Sequence, residues 1–230
     1  MRCYDPKAKQ LLWEIPNAHK GSINTIYADT NYILTGGDDG PLRVWARQTR
    51  QLLIQLAGIL FTSHRLAHTK PISKVMPDLN QPHIIHSCGL DKAICTFDLK
   101  KEKKIVGHSI KNGVIYDMSQ RKDHELELVT CGQGSPIYFW DCDEAEPVSF
   151  IDYPYKVSTV QVSNNGKYLA FGTETNEVFV YDISNPAKFN MVGKGTGHSG
   201  PVMKLKWSPD DKQIVSVAAD ASLCVWNFYG

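Results

Sequence analysis

The sequence has no long apolar run, no close pair of cysteines and no excess of charge of either sign, and each absence removes a class of protein. Its most apolar stretch, Leu52 to Leu66, is broken by Gln55, Ser63, His64 and Arg65. That is shorter than the roughly 18 residues a bilayer span requires, so no transmembrane helix and no membrane partner are expected. Met1-Arg2-Cys3-Tyr4-Asp5-Pro6 lacks the apolar core of a secretory leader, and a cytoplasmic protein is expected. Cys3, Cys88, Cys95, Cys131, Cys142 and Cys224 are scattered through apolar segments without a CxxC pair, which favours reduced, buried thiols over disulfides or a zinc ribbon. Lys and Arg total 25 against 24 for Asp and Glu. The one short basic segment, Lys100 to Lys104, is interrupted by Glu102 and reads as a solvated hairpin, so nucleic acid is not an expected partner. No segment sustains a 3.6-residue apolar period, so helix content should be near nil.

What the chain does contain is a repeat. Five segments end on an aromatic followed by a small or polar residue: Trp45-Ala46, Phe97-Asp98, Trp140-Asp141, Tyr181-Asp182 and Trp226-Asn227. Successive aromatics lie 52, 43, 41 and 45 positions apart, close to the roughly 40–45 residues of one four-stranded propeller blade. Six positions before each aromatic stand Asp39, Asp91, Gly134, Thr175 and Asp220, and four positions earlier Thr35, Ser87, Thr130, Phe171 and Ser216. Four units open on a histidine: His19, His68, His108 and His198. Between these markers run short apolar or alternating stretches such as Ile23–Tyr27, Tyr32–Thr35 and Leu42–Trp45, which predict strands. Ser163-Asn164-Asn165-Gly166-Lys167 and Ser208-Pro209-Asp210-Asp211-Lys212 supply turns between them.

With Gly-His near the start of units and Trp-Asp at their end, the chain resembles the WD-repeat family. The resemblance implies an all-β fold: a β-propeller of four-stranded antiparallel blades, five of them here, within a larger seven-bladed ring. The expected units are 16–56, 67–106, 107–151, 152–193 and 194–230, with an apolar insertion at 57–66. Residues 1–15 read as an outer strand that either belongs to a preceding blade or completes the last one. The fourth unit departs from the pattern, with Ile151-Asp152-Tyr153-Pro154 in place of the histidine, Phe171 for the hydroxyl and Thr175 for the aspartate.

In the family the histidine, hydroxyl, aspartate and tryptophan form a hydrogen-bonded network inside each blade. By resemblance that role falls to His19, Thr35, Asp39 and Trp45; to His68, Ser87 and Asp91, where Phe97 has no N–H to give; to His108, Thr130 and Trp140; and to His198, Ser216, Asp220 and Trp226. The set looks like a catalytic Ser/His/Asp constellation, but an enzyme assembles one such set in one pocket, and recurrence once per blade argues for structure. Asp38 beside Asp39 reads likewise as a surface residue next to a turn residue. Gly193-Lys194-Gly195-Thr196-Gly197 lacks the following helix that would hold a phosphate. Alternation separates His83 from His86 and Cys88, so these read as strand residues, a partly exposed histidine among them, and not as metal ligands. No cofactor, metal, catalytic residue or small-molecule substrate is expected.

The reading is therefore a non-enzymatic scaffold that binds other proteins. The resemblance places docking on the face bearing the turns between the second and third strands, where Lys20, Asp38, Lys70, Lys92, Gln133, Glu174 and Ser199 flank the turns and histidines. The final unit, from Gly197-His198-Ser199-Gly200 to Trp226, resembles blades of axonemal WD-repeat proteins, which implies a structural role on ciliary or flagellar microtubule doublets, with tubulin or axonemal proteins as partners. A peptide reader or ubiquitin-ligase substrate receptor is the alternative use of such a face, and a propeller hydrolase the alternative from another class.

Overall fold

The computed structural model describes residues 1–56, 68–121, 128–134, 136–141 and 143–230. The expected insertion at 57–66 and Cys142 lie outside the described residues. Every regular element described is a strand, and no helix among the described residues is long and apolar enough to cross a membrane.

A first hairpin pairs β1 (Arg2–Asp5) with β2 (Gln10–Glu14). Blade 1 comprises β3 (Ile23–Ala28), β4 (Tyr32–Gly37), β5 (Leu42–Ala46) and β6 (Leu52–Leu56). Blade 2 comprises β7 (Ile72–Pro77), β8 (Ile84–Gly89), β9 (Ala93–Asp98) and β10 (Lys103–Ser109). Blade 3 comprises β11 (Val114–Gln120), β12 (Leu128–Gln133), β13 (Ile137–Trp140) and β14 (Ser149–Ile151). Blade 4 comprises β15 (Val157–Val162), β16 (Tyr168–Thr173), β17 (Glu177–Asp182) and β18 (Asn190–Thr196). Blade 5 has three strands: β19 (Val202–Trp207), β20 (Gln213–Ala218) and β21 (Leu223–Asn227). Within each blade the strands, a to d from the inside out, pair in sequence order as an antiparallel meander. The chain thus forms five propeller blades.

The register is the same in every blade. The aromatic that ends strand c sits opposite an aliphatic of strand b: Trp45 by Ile33, Phe97 by Ile85, Trp140 by Leu128, Tyr181 by Leu169 and Trp226 by Ile214. Each strand a also carries a bulge near its start, at Ile23/Thr25, Ile72/Lys74, Ile115/Asp117, Val157/Thr159 and Val202/Lys204. A bulge frees one residue from the ladder and re-aims its side chain. Three of these residues reach the next blade: Asn24 donates to the Ile72 carbonyl at 3.1 Å, Ser73 to that of Ile115 at 2.8 Å, and Ser158 to that of Val202.

The core lies between blades. Leu34, Leu42 and Val44 of blade 1 pack on Ile72, Val75 and Ile85 of blade 2, and similar clusters join blades 2 and 3, 3 and 4, and 4 and 5. Each fully buried aliphatic contributes roughly 2 kcal/mol. The approach is close enough to demand small residues. A Cβ on Gly36 would fall 2.6 Å from Ile72 Cγ2, and one on Gly172 would fall 2.4 Å from Val202 Cγ1.

The first hairpin packs Trp13 and Ile15 on Ile33 and Trp45 of blade 1. It therefore packs on the face of blade 1 opposite the one that Leu34 and Val44 present to blade 2. Of the two placements open for residues 1–15, completion of the last blade is not the one adopted, because β2 pairs with β1 and β21 has no outer partner among the described residues.

Candidate protein-interaction face

The turn between strands b and c and the loop that enters each blade meet on one face, and buried polar chains tie them together. In blade 1 the Trp45 indole donates to Thr35 Oγ1 at 2.9 Å, and Thr35 bonds His19 Nε2 at 2.7 Å. His19 Nδ1 lies 2.6 Å from Asp39 Oδ1. Burial, followed by the neighbouring Arg43 charge, lowers the affinity of His19 for a second proton even though Asp39 pulls the other way. A neutral ring with its proton on Nδ1 then donates to Asp39 and accepts from Thr35. Asp39 also accepts from the Lys20 amide at 3.0 Å and from Arg43 at 2.8 Å. Burial opposes ionisation of Asp39, but these donors outweigh it and hold its carboxyl below the usual range.

The other blades vary this chain. In blade 2 His68 bonds Asp91 and Ser87, both at 2.8 Å, and buried Phe97 closes the space without a donor. In blade 3 Trp140 donates to Thr130 at 2.9 Å while the His108 ring lies 5.4 Å from the indole. In blade 5 Trp226 and His198 both meet Ser216, at 2.8 and 2.7 Å. Here the histidine reaches its aspartate through an intermediary: Ser222 lies 2.8 Å from His198 Nδ1 and donates to Asp220 at 2.7 Å, while the direct His198–Asp220 separation is 3.6 Å. Nothing in the repeat spacing marks Ser222, because no other blade has a hydroxyl at that place in its chain.

Blade 4 has no such chain. Phe171 stacks on Phe179 with centroids 5.3 Å apart, Tyr153 meets both rings edge-on or tilted at 5.4 Å, and Tyr181 lies 5.5 Å from Phe171. Thr175 bonds only the neighbouring Thr173, at 2.8 Å, and Glu177, at 3.5 Å.

Thr35, Ser87 and Ser216 are fully buried, and each is engaged by its histidine. A hydroxyl with no exposed surface cannot reach a substrate carbonyl, so these sets act as internal ties. No cluster of three metal-binding side chains occurs among the described residues. His83 is partly exposed, whereas His86 is entirely buried, with Nδ1 3.0 Å from Thr96 and Nε2 3.1 Å from Asp78. Gln120 of blade 3 also donates to Asp78, at 2.7 Å. Burial disfavours the Asp78 anion, yet His86, the Gln81 and Asn80 amides and Gln120 hold its carboxyl well below the usual range. This tie between blades 2 and 3 was invisible in the sequence because His86 occupies the place of Leu34 in blade 1 and shares no spacing with the repeated histidines.

The seven surface candidates all lie on the face above the chains. Lys20, Asp38, Lys70, Gln133, Glu174 and Ser199 are exposed. Most also hold the local backbone: Asp38 accepts from Ser22 and Asn24, both at 3.0 Å, Glu174 from the Lys156 amide at 3.2 Å, and Gln133 from the Tyr116 hydroxyl at 2.9 Å. Ser199 gives its amide to Asp220 at 2.7 Å. Lys92 differs from the rest; it is half-buried, has a φ of 70°, and donates to the Lys111 carbonyl at 3.1 Å. Lys20 and Lys70 make no ion pair among the described residues. Gln133 and Glu174 share a cleft of about 460 Å³ between blades 3 and 4 with Tyr153, Tyr155 and Lys156. That cleft brings together only two of the seven.

The blades and their repeated polar chains are similar to those of WD-repeat propellers. The model of the family described as WD domain, G-beta repeat, matches residues 10–46 and 189–227, chiefly in the first and last units of the repeat. The chain is 23% identical to cilia- and flagella-associated protein 52 of Homo sapiens over 237 residues, which cover 99% of this chain and 35% of that protein. It is 27% identical to echinoderm microtubule-associated protein-like 4 of Xenopus laevis over 150 residues, 63% of this chain and 16% of the relative. It is 26% identical to serine-threonine kinase receptor-associated protein of Dictyostelium discoideum over 227 residues, 94% of this chain and 72% of the relative. The chain thus spans about a third of the length of the cilia- and flagella-associated relatives it matches.

Proposed function

We propose that the chain is a non-enzymatic scaffold that holds other proteins within a larger assembly, using the face above the polar chains. The observation that carries this reading is the burial of every repeated Ser or Thr/His pair beneath a face whose lysines, Lys20 and Lys70, are left without ion-pair partners among the described residues. A rigid ring segment with uncommitted charge on one face is suited to binding, and the buried sets have no access for chemistry.

A ciliary or flagellar microtubule assembly is the finer reading, with cytoplasm and axoneme as its location and tubulin or axonemal proteins as partners. Its support is the names of the relatives, which speak of cilia, flagella and microtubules. The hairpin packed against blade 1 supports a larger ring, of which these five blades form a part. A peptide reader is the competing use of the same face, and the cleft between blades 3 and 4, with Tyr155 55% exposed, is the observation that favours it.

Affinity purification of the tagged chain from ciliated cells, followed by mass spectrometry, tests the scaffold. Wild type is compared with a Lys20→Glu/Lys70→Glu variant and with Tyr155→Ala, and Lys92 is left intact because it is structural. A defined partner set that disappears with the lysine reversal supports the scaffold on this face. Loss with Tyr155→Ala alone supports the reader. A well-folded wild type that recovers no specific partner overturns both.

A further inference from the structure

The inner strands of the blades converge on a second charged site, at the end of the channel opposite the face described above. Each strand a runs from the histidine-bearing loop toward the turn between strands a and b, and the residues in its second half line a cavity of about 310 Å³. Lys74 and Lys206 enter it from blades 2 and 5, Ser119 and Gln161 from blades 3 and 4, and Tyr27 and Leu79 from blades 1 and 2. Behind it sits Asp117 of blade 3, whose side chain is only 2% exposed. Lys74 approaches Asp117 Oδ1 at 3.3 Å, Lys204 of blade 5 approaches Oδ2 at 3.0 Å, and Thr159 of blade 4 donates to Oδ2 at 2.7 Å.

Two ammonium groups therefore converge on one carboxylate, and Lys206, which lines the same cavity as Lys74, has no ion pair among the described residues. The like charges of Lys74 and Lys206 around this cavity repel one another, and an entering anion relieves that repulsion. The rim adds apolar surface, with Ile26 56% and Leu79 52% exposed. Nucleic acid fits poorly, because the site offers no track of cations along a groove.

We propose that this end of the channel accepts an acidic peptide segment of a partner protein, with one carboxylate against Lys206 and Lys74 and a neighbouring apolar side chain on Leu79 and Tyr27. The proposal rests on the scaffold reading and adds a second contact on the opposite face. Asp117 then acts as a positioning residue: it holds Lys74 and Lys204 in place from below and leaves Lys206 free for the ligand.

The test is fluorescence anisotropy of a labelled twelve-residue peptide of glutamate with leucine at every fourth position, beside a twin carrying lysine for glutamate. Wild type should bind the acidic peptide only, with affinity falling as salt rises. Lys206→Glu should weaken it about tenfold or more and Lys206→Ala by less, while Lys20→Glu/Lys70→Glu on the other face should leave it unchanged. Circular dichroism and thermal midpoints check that the variants fold. No binding by wild type, equal binding of the lysine twin, or equal binding by folded Lys206→Glu and Lys206→Ala overturns the channel site. If the partner set in the purification persists in any of those outcomes, the channel site alone has failed and the scaffold reading stands.

Discussion

In blade 1 the space between strands b and c and the entering loop is filled by His19, Thr35, Asp39 and Trp45, whereas in blade 4 the corresponding space holds Tyr153, Phe171, Thr175 and Tyr181. Both blades keep the same strand register. The hydrogen-bonded chain is therefore one solution to a packing requirement and not a condition of the fold. A buried polar chain is stable when every member is satisfied, and a wholly apolar replacement of similar volume serves equally well; the costly state is the half-replaced one. Blade 2 lies between the two, with the histidine, hydroxyl and aspartate kept and Phe97 closing the end.

The comparison breaks most visibly at Phe171. It is fully buried against Phe179, Tyr153 and Tyr181, so Phe171→Ala should cost about 4 kcal/mol by urea unfolding. A loss below about 1 kcal/mol would show that the aromatic cluster does not hold blade 4. The next effect is smaller and depends on pH. Asp39→Ala removes the acceptor of His19 Nδ1, Arg43 Nη1 and the Lys20 amide and should cost about 3 kcal/mol at neutral pH, whereas Thr175→Ala should cost less than about 1.

The sign of the acid response follows from the carboxylates. The folded-state pKa values of Asp39 and Asp91 lie below the ordinary value, despite burial that opposes this, because His19 and His68 respectively lead the hydrogen bonds to them. Their stabilisation is thus present above a pH of about 4 and is lost as pH falls through the folded values. Hydrogen exchange at decreasing pH should expose the amides of blades 1 and 2 before those of blade 4; simultaneous loss in all three would remove the distinction. The finest test is Trp45→Phe, which gives blade 1 the ending that blade 2 already has and should cost about 1 kcal/mol for the lost hydrogen bond.

Blade 5 supplies a second contrast. Leu42 and Val44 of blade 1 are 0% and 2% exposed beneath blade 2, while Leu223 and Val225 at the same places in blade 5 are 62% and 52% exposed. Gly36 and Gly172 allow the next blade's Ile72 and Val202 to approach, but the matching residue in blade 5 is Val217, 38% exposed. Its bulge residue, Met203, is likewise 54% exposed where Asn24, Ser73 and Ser158 reach across to a neighbour.

Much of this was legible beforehand, for a local reason. The hydroxyl and the aromatic that share a hydrogen bond are ten positions apart in blades 1, 3 and 5, a separation fixed by one hairpin, so periodicity carries it. Ser222 was missed because it replaces a direct contact with a relay, and His86 because its partners, Asp78 and Gln120, come from a turn and from another blade. Lys92 was read as free surface because its tie is to a backbone carbonyl, which no side-chain pattern records.

The sequence by itself determined the strands and the repeated histidine, hydroxyl and aromatic of each buried chain, because these depend on alternation and on separations that recur from unit to unit. Only the tertiary structure decided which blades touch, where the bulge residues reach and how Lys74, Asp117, Thr159 and Lys204 meet. Asp117 and Lys204 stand 87 residues apart, and their contact depends on the curvature with which successive twisted sheets pack, a property of the assembled blades that no single repeat contains.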